Sequence, residues 1–519
     1  MQIVKKLITL LLPFILLACE SSMNLLPNII FILTDDQRDN TLGAMGNPFV
    51  KTPNMDKLVQ NGIRFSNTYI AEPVCSPSRI SLFIGMHERI HGIGFTSSYD
   101  LTEEQWETSY PSLLRKNGYF TGFIGKLGIE HYTFRGEADS KFDYWWGHDG
   151  WTKFLPKNYD YNSTRPYHKA RNDIITPIMG EAIEDFLNNK STEKPFCLSV
   201  SINVPHGSQT TSMYEDYEGW HDMSRPANEN PQLKGHPIYD GLYRDIDIRI
   251  PSETTTDPYE WIPREVLDQE GRMKTYSYDY NIESCQEHHI RYYQTITGLD
   301  IVIGELMKNL ENRGLADNTI IIFASDHGLI MGEYGMGGKS LLYDLASKIP
   351  CFIYDPRLPQ KKRGKTIENL VSSLDLTTTI LDYAGIKPSD EMTGNSLVPL
   401  VKGKKVKWRD ELFLESLYTG RDNPFSEGIR KGDWKYIRMY DGVENYKEDD
   451  LDFKNRNPDF EQLFNLKDDP MEMNNLISEY EENELLEEFR KKTASYSQNL
   501  NSKRAEFMQL HEVALRKTE

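Results

Sequence analysis

The stretch NIIFILTDD, residues 28–36, sets five consecutive apolar side chains, Ile29 to Leu33, directly ahead of two carboxylates. The run is too short for a helix and shows no polar alternation. Its β-branched and aromatic content predicts a strand buried on both faces, as in the middle of a parallel sheet. In open α/β sheets, ligands bind outside the carboxyl ends of the strands. Asp35 and Asp36 therefore mark the edge where a site is expected.

Three further runs repeat this arrangement. Tyr119 to Ile124 leads into Gly125-Lys126, Phe196 to Ile202 into Asn203-Val204-Pro205-His206, and Thr319 to Ala324 into Ser325-Asp326-His327-Gly328. Acids, a lysine and histidines at four strand ends predict an active site along one edge. Helical patterns over 53–61, 78–85, 174–188, 295–313 and 374–384 alternate with the strands, which predicts an α/β domain. Gly314 is placed to end the helix ahead of the last of these strands. Beyond about residue 405 the character changes. Glu411–Leu414 and Trp434–Arg438 read as half-exposed strands, and 476–496 carries apolar residues at helical spacing. The expected division is a catalytic domain over 28–405 and a subdomain over 406–519, a small antiparallel sheet with a packed terminal helix. Residues 205–290 are long, polar and aromatic with little periodicity, and read as a loop-rich insertion over the active-site edge.

The 519 residues carry a net charge of −19, which argues against nucleic acid as a partner. An anionic substrate would need local cations of its own. Lys5 and Lys6 followed by the apolar run Leu7 to Leu17 read as a signal peptide over 1–18, too short to span a bilayer. The run ends in Leu16-Leu17-Ala18-Cys19, which resembles a lipobox, so Cys19 is expected to carry a lipid. This predicts a bacterial lipoprotein facing the periplasm or on the cell surface, touching the membrane through that anchor alone. The remaining cysteines have no short spacing that would suggest zinc or a disulfide framework. Cys197 and Cys351 lie in apolar runs and read as core. Cys75, opening Cys75-Ser76-Pro77-Ser78-Arg79, has three roles open to it: a buried thiol, a nucleophile, or the precursor of another group.

Asp35, Asp36 and Asp326 would repel one another unless a hard divalent cation joined them, and His327 could be a fourth ligand. The dominance of carboxylates favours calcium. Lys126, Lys339 and Arg79 supply positive charge beside it, enough to grip a tetrahedral sulfate or phosphate. His206 could protonate a leaving group.

Cys75-Ser76-Pro77-Ser78-Arg79, with Leu82 and Gly85, resembles the signature of the type I, formylglycine-dependent sulfatases of the alkaline-phosphatase-like superfamily. Thr34-Asp35-Asp36-Gln37, Gly118-Tyr119-Phe120-Thr121 with Gly125-Lys126, Pro205-His206, Ser325-Asp326-His327-Gly328 with Gly332-Glu333 and Lys339, and Leu463-Phe464-Asn465-Leu466 with Asp469-Pro470 resemble it in the same order. The resemblance implies a large mixed, mostly parallel sheet sandwiched by helices. It implies that a maturation enzyme oxidises Cys75 to Cα-formylglycine, whose hydrate attacks sulfur. It implies one calcium ion held by Asp35, Asp36, Asp326, His327 and the group derived from Cys75. Arg79 and Lys126 would steady the nucleophile, Lys126 and Lys339 the sulfate, and His206 would be the general acid. The expected substrate is a sulfated saccharide, probed by an exo-acting enzyme on a glycosaminoglycan, mucin or other sulfated glycan. Two departures stand out. Ile84 replaces a usual threonine, and Gly128 replaces the histidine of a usual Gly-Lys-x-His, with His131 and His91 as candidate substitutes. The aromatic stretch 144–151 reads either as a sugar-stacking surface or as a buried cluster. A phosphatase or phosphodiesterase of the same superfold, and a catalytically weak glycan-binding lipoprotein, are the competing readings.

Overall fold

The computed structural model describes residues 26–511, except 130–137, 149, 151, 159–165, 215–222, 224 and 269, together with 514 and 515. The Cys19 anchor, His131, Asp149 and Trp151 lie outside the described residues.

Eight strands form the main sheet: β1 Asn28–Thr34, β2 Ile63–Tyr69, β3 Phe120–Lys126, β4 Tyr144–His148, β5 Phe196–Ser201, β6 Thr319–Ser325, β7 Cys351–Tyr354 and β8 Lys365–Ser372. Their order across the sheet is β8-β2-β7-β6-β1-β5-β3-β4. All pairs are parallel except those of β7, which runs against both of its neighbours. β1 lies inside the sheet, every one of its residues buried. Ile29, Phe31 and Leu33 face one core and Ile30 and Ile32 the other. A strand covered on both sides has no polar face to show, which is why this one reads as a continuous apolar run.

The helices follow from that division. α1 Pro53–Asn61, α3 Ile175–Asn189 and α4 Ile282–Asn312 bury their apolar stripes against the Ile30 face. α2 Cys75–Ile84 and α5 Leu374–Tyr383 cover the Phe31 face. Gly314, at φ +64, takes the left-handed turn after α4. α2 starts three residues before the periodicity predicts, because Pro77 tolerates the first turn and Ser78 N already donates to Val74 O at 3.0 Å. α4 begins at Ile282, inside the stretch expected to be loop. Its first turns bury Glu287, His288, His289 and Arg291. They are satisfied by polar contacts such as the Arg291–Glu287 ion pair at 2.7 Å and the hydrogen bond between His288 Nδ1 and Asp279 Oδ1 at 2.8 Å, so no apolar period appears there.

A second sheet is antiparallel in the order β9 Glu411–Ser416, β10 Phe425–Lys431, β11 Trp434–Tyr440 and β12 Phe460–Asn465. Leu412, Leu414, Ile437 and Met439 pack toward Tyr334, Leu341 and Tyr343 of the larger body. Phe413, Ile429, Tyr436 and Leu463 join Leu486, Phe489, Leu500 and Phe507 of the terminal helix α6. α6 spans Glu484–Leu510, later than the expected 476–496: Asn483 caps it by accepting from Leu485 N, leaving Leu476 in the turn ahead. No helix among the described residues is long and apolar enough to cross a membrane.

Candidate active site

The parallel strands bring their carboxyl ends together. Asp326 N donates to Thr34 O at 3.0 Å, and Gln37 N to Ser325 Oγ at 3.0 Å, so the ends of β1 and β6 are stitched side by side. Asp36 takes φ +66, a left-handed conformation that aspartate tolerates better than most residues. The Tyr292 hydroxyl of α4 holds the turn by donating to Asp36 O at 2.7 Å. Asp35, Asp36 and His327 offer ligand atoms within 4.8 Å of one another, all buried.

α2 projects Cys75 from its first turn into this edge, where the helix N-terminus favours negative charge. Burial pushes the Cys75 thiol up, but the Lys126 and Lys339 cations and a hydrogen bond with His327 outweigh it and lower the thiol below its ordinary value. Arg79, one turn on, is fully buried. Its Nε and Nη2 each lie 2.8 Å from Asp326 Oδ2, Nη2 lies 3.3 Å from Asp35 Oδ2, and Nη1 donates to Lys126 O at 3.0 Å and to Ser201 Oγ. This guanidinium knots α2 to the ends of β1, β3, β5 and β6. It does not line the cleft, so its effect on the reacting group runs through the carboxylates it orients.

Lys126 Nζ donates to Asp35 Oδ2 and Lys339 Nζ to Asp36 Oδ1, each at 2.7 Å. Burial alone would raise both carboxyls, yet the lysines hold Asp35 well below the ordinary carboxylate value and Asp36 at about 2. Burial likewise works against the lysine charges, and Asp35 and Asp36 restore them by raising Lys126 and Lys339. Asp326 stands slightly apart: Oδ2 is taken by Arg79, while Oδ1 accepts from Asp36 N at 3.2 Å. Asp35 Oδ1 is buried and has no hydrogen-bond partner. That orphaned oxygen, two further carboxylates and an imidazole suit a hard divalent cation with mainly oxygen ligands.

His206 follows β5 and lies with Nε2 3.8 Å from Asp36 Oδ2. Ser208 N donates to His206 Nδ1 at 3.0 Å, which leaves the proton of the neutral ring on Nε2, the side facing the cleft. Burial lowers its pKa to about 3. When the ring is protonated, Ser208 Oγ, 3.0 Å from Nδ1, is placed to accept the new N–H.

A cleft of about 740 Å³ opens above these groups, lined by Asp36, Cys75, Lys126, His206 and Lys339 at its base. The sequence-derived residues thus converge, with Arg79 behind the wall. His91, offered as a substitute for the missing histidine, is buried and turned away, its ring nitrogens engaged by Ser81 Oγ at 3.0 Å and Ile93 N at 3.1 Å. Of the two readings of the 144–151 stretch, the packing of its described tryptophans favours the cluster: half-buried Trp145 stacks on Phe123 at 5.2 Å, and half-buried Trp146 packs edge-on to Tyr167 at 5.8 Å, while Gly150 lines the cleft. The aromatic wall is instead made by Phe95, Tyr276, Tyr278 and Tyr418. These, with Arg272 and Arg421, carry no motif: Arg272, Tyr276 and Tyr278 fall in the aperiodic 205–290 stretch, and nothing in the sequence pointed to Phe95, Tyr418 or Arg421.

The sulfatase family profile matches residues 27–386, and the profile described as N-sulphoglucosamine sulphohydrolase, C-terminal, matches 332–499. The chain is 26% identical to an N-acetylglucosamine-6-O-sulfatase of Bacteroides thetaiotaomicron, over 91% of this chain and 88% of that protein. It is 29% identical to an arylsulfatase of Clostridium perfringens, over 90% of this chain and 93% of the relative. Among solved structures, BT4656 in complex with its substrate D-glucosamine-2-N,6-O-disulfate shares the fold, with a TM-score of 0.66, 23% identity, and 92% of this chain and 98% of that chain covered.

Proposed function

This chain belongs to the sulfatase family and is a sulfatase, and from that premise we propose that it removes sulfate from the end of a sulfated saccharide, an amino sugar in the first instance. The observation that carries the reading is the meeting of Cys75, Lys126, Lys339 and His206 at the base of one cleft in a chain of net charge −19. Local cations answer the charge problem an anionic substrate poses. The cleft volume falls within the range of small-ligand pockets, which favours a terminal sugar over a long chain laid through. Relatives named for N-acetylglucosamine sulfates support the amino sugar.

Asp35, Asp36 and His327, whose ligand atoms lie together, would hold the cation, with Asp326, the fourth residue expected, completing the set at its edge, and calcium preferred because oxygen donors predominate. Oxidation of Cys75 to formylglycine would supply a hydrated aldehyde oxygen as nucleophile, and the cation would supply positive charge beside it. Lys126 and Lys339 hold the sulfate oxygens, and such preorganised donors are worth about 3–4 kcal/mol each. His206 is neutral in the free site and would take up a proton as the anionic substrate enters, then deliver it from Nε2 to the departing sugar oxygen, with Ser208 Oγ accepting from Nδ1 in the charged ring. Arg79 keeps Asp35 and Asp326 in place. Lipid attachment at Cys19, and with it a periplasmic or surface address, belongs to the same reading and rests on Leu16 to Cys19.

Mass spectrometry of the peptide containing residue 75, run beside a panel of sulfated sugars, tests the proposal. Activity should rise with the fraction converted to aldehyde, and chelation should abolish it, calcium restoring more than zinc. Full activity with an unmodified Cys75 thiol would refute the mechanism.

A further inference from the structure

The cleft has a second tier that the sulfate chemistry leaves unused. Arg421 lines its wall from the Gly420–Asp422 turn between β9 and β10. Arg421 and Asp422 both take left-handed backbone angles, φ +61 and +57, and Asn423 braces the turn by donating to Gly420 O and accepting from Arg272 Nη1 at 3.0 Å. Gly271 lets the turn approach: a Cβ there would lie 3.3 Å from Arg421 Cα. A loop held in an unfavourable conformation by this many contacts is built to place its side chain.

That side chain is exposed to the cleft. Its guanidinium lies 5.3 Å from the Tyr276 ring centroid, and Nη1 donates to the Tyr276 hydroxyl at 2.9 Å. Among the described residues no carboxylate lies within 4.0 Å of it, although acids outnumber bases 78 to 59 in the chain. Tyr276 in turn packs against the backbone just before Lys339, since a Cβ on Gly338 would stand 2.3 Å from the Tyr276 ring. One aromatic ring therefore separates Arg421 from the lysine assigned to the sulfate. An unpaired, oriented guanidinium presents a planar fork suited to a carboxylate or sulfate.

We propose that Arg421 is a specificity-determining residue that binds a second anionic group of the substrate, on the sugar bearing the scissile sulfate or on its neighbour. The inference rests on the saccharide reading above. The second anion is either another sulfate or a uronate carboxylate, two sources of one chemistry.

The test is binding, measured by calorimetry on protein with Cys75 unoxidised so that turnover does not enter. Three ligands are compared: a monosulfated hexosamine, a disulfated hexosamine, and a disaccharide of the monosulfated hexosamine with a uronate. The wild-type protein should prefer one of the doubly anionic ligands, and which one identifies the second anion. R421Q should lower that preference by about 10- to 100-fold, the range for a charge-assisted hydrogen-bonded pair. Y276F leaves the cation and removes the hydroxyl that orients it; it should lose part of the preference, and it decides the matter if R421Q melts early. Preference undiminished in both variants, or no preference in wild type, overturns the role of Arg421 alone. Failure of wild type to bind any of the three overturns the saccharide reading and this inference with it.

Discussion

At Gly128 the backbone turns with φ +76, and a Cβ built there would stand 2.2 Å from Arg79 Cδ. The side chain expected at this position in the Gly-Lys-x-His pattern has no room, because the Arg79 stem occupies it. G128H is therefore expected to lower activity. It forces a left-handed non-glycine residue, costing about 1–2 kcal/mol, and pushes Arg79 off Asp326. Melting temperature and turnover should fall together, and a G128H enzyme faster than wild type would show the space to be adaptable. His206 gives a second expectation. In the proposed role of general acid it would matter most when the leaving oxygen is basic. H206A should cost about 10²- to 10⁴-fold on a sugar sulfate and far less on an aryl sulfate with an acidic phenol. S208A, which removes the hydroxyl acceptor at 3.0 Å from Nδ1, should show the same leaving-group dependence in weaker form. Equal losses on both substrates would assign His206 to binding alone.

α2 is flanked by two buried acids, Glu72 three residues before Cys75 and Glu88 shortly after the helix. Each raises the cost of a charge on the other, and Glu88 accepts from the Tyr446 hydroxyl at 2.5 Å, while Glu72 Oε1 and Glu88 Oε2 are buried without a hydrogen-bond partner. Burial raises both carboxyls, Glu88 to about 8 against an ordinary 4.5. A folded-state value raised above the unfolded one means stability that is complete below pH 4.5 and lost as pH climbs through about 8. Glutamine keeps the acceptor for Tyr446 and does not ionise. E88Q should therefore melt progressively higher relative to wild type between pH 5 and pH 8.5, by an amount on the order of a few kcal/mol. Parallel pH profiles for the two proteins would show that Glu88 is not the group whose ionisation costs the stability. The same contacts explain why α2 is a fixed platform: Leu417 N, from just past β9, donates to Glu72 Oε2 at 3.0 Å and so ties the helix entrance to the second sheet.

Over the whole molecule the second sheet is part of the site. Arg89, fully buried after α2, donates to Glu415 Oε2 of β9 at 2.9 Å, Glu427 Oε2 of β10 at 3.0 Å and Leu451 O at 3.0 Å. R89A would strand two buried carboxylates, a loss of about 3–5 kcal/mol. The lower end is expected, because Glu427 keeps Arg438 at 2.8 Å. The variant should also weaken substrate binding, since β9 and β10 carry the turn that holds Arg421. Denaturant unfolding and KM together check this, and a loss of stability with KM unchanged would separate docking of the sheet from the shape of the cleft.

The local chain settled the strands and the chemistry at their ends. Ile29 to Leu33 has nowhere to go but a doubly covered strand, and Asp35, Lys126, His206 and Asp326 follow their strands so closely that parallel pairing alone brings them to one edge. The Cys75 signature was legible because it depends on spacing within a single helical turn. Tertiary structure decided what depends on partners far along the chain. The start of α4 was hidden because its buried polar side chains are satisfied by residues from other segments, Glu287 by Arg244 and His288 by a hydrogen bond with Asp279. Trp145 could be read as part of a sugar platform or of a buried cluster, and its stacking on Phe123 of the neighbouring strand decided for packing. Arg421 meets Tyr276 from 145 residues away, only because the second sheet docks beside the first. Periodicity records which face of an element is apolar. It carries no record of which distant side chain will complete a cleft, and that is settled when the two bodies pack.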